Sequence, residues 1–153
     1  MFNFKDINKP KEYMDWNEIS KFPKFIAEPK FDGVRMLATK TNGVLTLHRE
    51  EKNIKNKQFP EILKQLANMP DNTTIDGEVC ILKGTEKEQS LKSNFDLIQG
   101  RATLTDDSRI SILNSRNPAT FVAFDCPVYQ GVDVRMKPLT ERRTFLDGLH
   151  TVD

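Results

Sequence analysis

Residues 28–35 read Glu28-Pro29-Lys30-Phe31-Asp32-Gly33-Val34-Arg35, and they contain the string Lys-x-Asp-Gly-x-Arg. Four fixed residue types at that spacing arise by chance in roughly one chain in 500 of this length. Residues 25–30 are expected to form a short strand bent at Pro29, so that Lys30 leaves a strand just before a turn. A lysine attacks as a nucleophile only when neutral, and nearby cations with partial desolvation lower its pKa. Gly33 permits a tight turn or a close backbone approach, and Asp32 can accept hydrogen bonds from that turn and orient Lys30. A plain surface hairpin bearing a charged cluster fits these eight residues as well. The rest of the chain has to decide between the two.

Outward from this string, VRMLATK and VLTLHRE flank Thr41-Asn42-Gly43. Asn-Gly between two alternating runs is a strong hairpin signal. Residues 51–58 are a Lys-rich polar loop, and 59–69 form an amphipathic helix with Pro60 near its start. A strand is predicted over 73–83, a solvated turn over 85–90 and a helix over 90–100; residues 103–118 suit either element. Residues 120–129 read as a buried strand and 138–150 as a last helix. Upstream, Tyr13, Trp16 and Ile19 at helical spacing predict a helix over 9–22, stopped by Pro23. The sum is an α+β protein with an antiparallel or mixed sheet and flanking helices.

At 153 residues, with 37% hydrophobic side chains and ten Phe, the chain has the material for one ordinary core. No apolar run approaches the ~20 residues that span a bilayer, so no membrane association is expected. Residues 1–60 carry 12 Lys/Arg against 8 Asp/Glu, a mildly basic balance that suits phosphate. Cys80 and Cys126 sit in apolar stretches without metal spacing, which reads as two reduced thiols in a cytoplasmic protein, although one disulfide also fits.

Two later segments favour chemistry over a bland hairpin. Ile75-Asp76-Gly77-Glu78-Val79 sets two carboxylates in an apolar strand, an expensive arrangement unless they are paired or bind something. Phe121-Val122-Ala123-Phe124-Asp125 repeats the theme, with an acid beside an aromatic at the end of an apolar run.

Taken in order, these segments resemble the adenylation domain of ATP-dependent DNA ligases, within the covalent nucleotidyltransferase superfamily. EPKFDGVR is similar to its nucleophile motif; LHRE followed by FPEIL, IDGEV, SNFDLIQGR, FVAFD and PLTERRTFL resemble its later segments, covering about residues 25–150. The resemblance implies that Lys30 attacks the α-phosphate of ATP to give lysyl–AMP, and that Glu28 selects adenine. It implies that Arg35 and Arg49 contact ribose, phosphate and nicked DNA. Glu78 would contact the ribose or help hold Mg²⁺ or Mn²⁺, and Phe124 would stack on adenine. It further implies an ATP-grasp-like nucleotidyltransferase fold and a role in DNA repair or replication.

The pattern also departs from that family. It would continue beyond Asp153 with Glu-Gly and Lys-x-Lys strands and an oligonucleotide-binding (OB) domain. Residues 1–153 are therefore expected to be one incomplete adenylation domain, weak or inactive alone and partnered by the missing C-terminal segment. An RNA ligase or an mRNA-capping guanylyltransferase shares Lys-x-Asp-Gly and is the nearest alternative. A non-catalytic fragment that binds nucleotide or DNA is the alternative from another class.

Overall fold

Asn42 (φ 51°) and Gly43 (φ 78°) both take left-handed backbone, as a two-residue hairpin turn requires. They join β1 (Val34–Thr41) to β2 (Val44–Glu50), the hairpin the sequence predicts. The computed structural model describes residues 28–50, 53–83, 92–93, 95–147 and 149, together with Asp15, Asn17 and Lys21. It divides into two units, Met1–Lys30 and Phe31–Asp153. The helix predicted over 9–22, residues 25–27 and the turn at 85–90 lie outside the described residues.

In the first unit, Glu28, Pro29 and Lys30 are exposed and carry no regular structure, so Lys30 does not leave a strand as expected. Pro29 has no N–H to give a ladder and restricts the residue before it.

The second unit is built on a sheet ordered β3-β2-β1-β4-β7-β8, with β3 (Asn53–Ile54), β4 (Thr73–Cys80), β7 (Thr120–Tyr129) and β8 (Val132–Asp133). Among the described residues every pairing in this sheet is antiparallel, the first of the two arrangements expected. A separate two-stranded ribbon pairs β5 (Leu82–Lys83) with β6 (Lys92–Ser93). The helix predicted over 90–100 therefore begins later.

Among the described residues four helices flank these strands: α1 (Pro60–Gln65), α2 (Phe95–Ala102), α3 (Asp107–Arg116) and α4 (Leu139–Asp147). α1 is shorter than predicted: the backbone leaves the helix at Leu66 (φ −97°, ψ 10°) and continues as turns over 66–68. α3 resolves the ambiguous stretch: the Asp106 carboxylate caps it by accepting the Arg109 N–H at 2.7 Å. Met36, Ala38, Leu47 and Ile75 are fully buried in one core with Phe59 and Ile62 of the α1 region and Ile98 of α2.

The core also holds one charged tie. Arg101 on α2, with its side chain 0% exposed, donates to Glu61 Oε2 at 2.7 Å and to the Gln58 carbonyl at 3.0 Å. Its guanidinium carbon lies 5.1 Å from the Phe59 ring centroid. Glu61 Oε1 in turn accepts the Ala119 N–H at 2.9 Å, just before β7. The FPE and QGR segments thus meet as one buried structural knot joining α1, α2 and the entry to β7.

Candidate active site

Residues paired across antiparallel strands share a face. Arg35 stands opposite Glu78, Leu37 opposite Asp76, and Asp76 opposite Asp125, so one face of β1-β4-β7 gathers three acids and an arginine. Gly33 donates its N–H to Glu78 Oε1 at 3.1 Å. A Cβ at Gly33 would collide with the Val79 carbonyl and come within 2.9 Å of Glu78 Cγ, so only glycine lets this turn lie against β4. Gly77 answers a similar need, since a Cβ there would strike the Phe121 ring and the Val122 carbonyl.

Arg35 reaches diagonally past Glu78 to Asp76. Its Nε meets Oδ1 at 3.0 Å and its Nη2 meets Oδ2 at 2.5 Å, a bidentate pair. The Asp76 side chain is 1% exposed and that of Arg35 is 32% exposed. The pair uses two of the guanidinium's five N–H donors. The register between β4 and β7 slips by one here: Asp76 pairs Asp125 while Gly77 pairs Ala123, which leaves Phe124 as the extra residue of a bulge. Val122 stands opposite Glu78, so alternation sets Phe124 on the same face, and the bulge brings Asp125 to that face beside it; the Arg35 guanidinium carbon lies 5.6 Å from the Phe124 ring centroid.

The acids are costly to keep ionised. Burial pushes the Asp76 pKa up, and the Arg35 bonds only partly oppose it. Burial raises Glu78 as well, against the Gly33 N–H and the Arg35 charge. The bond to Asp76 raises Arg35 further, so it stays a cation. Burial pushes the thiols of Cys80 and Cys126 up to about 12, and both are free cysteines.

Asp125 is anchored from outside the sheet. Arg142 on α4 grips it with Nε to Oδ1 at 2.7 Å and Nη2 to Oδ2 at 2.8 Å, and Oδ1 also accepts the Cys126 N–H at 2.8 Å.

Of the residues singled out in the sequence, the structure brings together Arg35, Glu78 and Phe124. Lys30 and Glu28 belong to the first unit and are exposed. Arg49 lies on β2, two strands from β4, where pairing with β3 slips between His48 and Glu50. His48 stands opposite Leu37, and partial burial lowers its pKa. The sequence reading missed Asp76 as the partner of Arg35, and it missed Arg142 altogether. Strand alternation could have set Arg35 on the face of Asp76, whereas nothing local marks Arg142.

Glu78 keeps one carboxylate oxygen beyond the one that accepts the Gly33 N–H. Mg²⁺ takes one or two protein carboxylates and completes its shell with phosphate and water, so Glu78 fits as a single ligand. Among the described residues no group of three His, Cys, Asp or Glu could hold a metal unaided, and no helix is long and apolar enough to cross a membrane.

Residues 10–151 match the family described as "ATP dependent DNA ligase domain". The chain is 28% identical over 125 residues to the SPbeta prophage-derived DNA ligase-like protein LigB of Bacillus subtilis (strain 168), covering 82% of this chain and 41% of that protein. It is 31% identical over 120 residues to DNA ligase C of Mycobacterium tuberculosis, covering 78% of this chain and 32% of that protein. A solved structure, mycobacterial DNA ligase D complexed with ATP and MES, superposes with a TM-score of 0.54 at 22% identity, covering 80% of this chain and 35% of that one. That likeness speaks for the fold. The chain thus spans 32% to 41% of the length of these curated relatives.

Proposed function

This chain belongs to the family of ATP dependent DNA ligase domains, and from that premise we propose that it takes ATP and forms a lysyl–AMP adduct through Lys30. The observation that carries the reading is the cluster of Arg35, Asp76, Glu78 and Phe124 on one face, in the strands that follow Lys-x-Asp-Gly in sequence. Phosphoryl transfer demands positioning and charge neutralisation more than covalent machinery. That cluster supplies a fixed cation, a carboxylate and an aromatic face.

In this reading the neutral Lys30 amine attacks the α-phosphorus of ATP. An N–P bond forms, the bond from phosphorus to the bridging oxygen breaks, pyrophosphate leaves and the amine loses its proton. Arg35, held by Asp76, presents its remaining donors to ribose or phosphate, and Arg49 adds charge for phosphate or nicked DNA. Phe124 supports the adenine ring and Glu28 bonds its exocyclic amine, which selects adenine over guanine. Glu78 holds the ribose or a divalent cation. Mg²⁺ or Mn²⁺, when bound, neutralises charge on the phosphates. The intact protein then seals nicks in double-stranded DNA, in repair or replication.

Incubation with α-labelled ATP and Mg²⁺, followed by acid treatment and mass spectrometry, tests this. The expected result is an acid-labile adenylate on Lys30, absent from Lys30→Ala and from Lys30→Arg, whose guanidinium stays protonated. Label on another lysine, or equal labelling from GTP, overturns it. Nucleotide binding without any label supports binding without turnover instead.

A further inference from the structure

Phe124 projects from a bulge, and a bulged residue has no ladder partner of its own to fix its direction. What fixes this bulge is the next residue. Asp125 Oδ1 closes onto the Cys126 N–H at 2.8 Å, one residue further along the strand. Both oxygens of the same carboxylate are gripped by Arg142, at 2.7 and 2.8 Å.

Arg142 is itself fixed. Its side chain is 9% exposed, and its Nη1 donates to the carbonyls of Lys137 at 2.5 Å and Arg135 at 3.4 Å in the turn before α4. α4 has a second hold on β7, where the Phe145 and Tyr129 rings stack with centroids 4.5 Å apart. The fork of Arg142 thus runs from a seated helix, through a carboxylate, to the strand residue next to the aromatic.

We propose that Arg142 is a positioning residue for nucleotide binding: through its bidentate grip on Asp125 it locks the β7 bulge and so aims the Phe124 ring at the adenine site. The inference rests on the reading of Phe124 as the adenine platform. Its structural half, that Arg142 orients Phe124, can be read without nucleotide. Arg142→Gln removes the charged fork, and Arg142→Lys keeps the charge but reduces the grip to a single point.

The first arm is NMR of the full chain without nucleotide. Nuclear Overhauser contacts between the Phe124 ring and the Arg35 side chain should weaken or vanish in Arg142→Gln and be intermediate in Arg142→Lys. Contacts between Phe59 and Arg101 serve as the internal control and should persist. Unchanged Phe124 contacts in a folded variant overturn the inference, whatever the nucleotide result.

The second arm is titration with ATP. Arg142→Gln and Phe124→Leu should each weaken binding about tenfold, the scale of one base–aromatic contact. The double variant should be no weaker than Phe124→Leu alone. Multiplying losses overturn the inference, since Arg142 would then act by another route. Absence of ATP binding by the parent chain counts against the proposed function alone, because the first arm still decides whether Arg142 aims the ring.

Discussion

Glu78 is held where its charge is penalised. Burial raises its pKa, so the folded state binds its proton more tightly than the unfolded state does. The stability linked to this group is full below the ordinary carboxylate pKa of about 4 and is lost as pH rises through the raised folded value. Asp76 adds to the same slope, since burial raises it too. Glu78→Gln keeps an oxygen to accept the Gly33 N–H while removing the charge. Its melting temperature at pH 7 should therefore equal or exceed that of the parent, its stability should fall less between pH 4 and pH 7, and adenylation should drop. A variant clearly less stable than the parent at pH 7 would show that the ionised carboxylate supports the fold. The arrangement fits a group kept for a ligand's sake, because a site selected for stability alone would not bury that charge.

At the scale of elements, the knot of Glu61 and Arg101 joins α1, α2 and β7. Glu61→Ala leaves a guanidinium buried without its carboxylate, and the cost should be about 3–5 kcal/mol in urea unfolding. Replacing both partners, as Glu61→Leu with Arg101→Met, should recover most of that loss, because the burden lies in the uncompensated charge. A double variant as weak as the single one would instead point to lost packing around Phe59. This scale also marks the limit of what the sequence could tell. The hairpin, the start of α1 and the apolar strands were legible because Asn42-Gly43, Pro60 and the apolar runs in 73–83 and 120–129 act within a few residues. The pairing of Arg35 with Asp76 spans 41 residues in sequence and the reach of Arg142 to Asp125 spans 17; the slip beside Phe124 pairs residues that lie further apart still. They depend on strand register and on a helix docking angle, neither of which leaves a local mark. α3 was ambiguous because Ile110-Ser111-Ile112 alternates like a strand, and only the Asp106 cap tips it towards a helix.

For the whole molecule, a ligand that binds the folded state alone stabilises it by mass action, by about 2.7 kcal/mol at 100 times its dissociation constant. In a chain of this size that corresponds to a melting shift of roughly 5–10 °C. Scanning fluorimetry with rising ATP should show such a shift, smaller with GTP and smaller again in Phe124→Leu. Equal shifts with both nucleotides would move the reading towards a guanylyl-transferring relative. The sheet itself carries a further consequence. Its outer strands, β3 and β8, are two residues long, whereas β1, β4 and β7 between them run to eight or ten. A neighbouring copy approaching β3 or β8 itself therefore finds room for only one or two backbone bonds. Strand addition onto these two strands has almost no template, even though Ile54 and Val132 are more than half exposed there. Such brevity lets a chain concentrate long apolar strands in its middle while offering an incoming strand little backbone at β3 and β8.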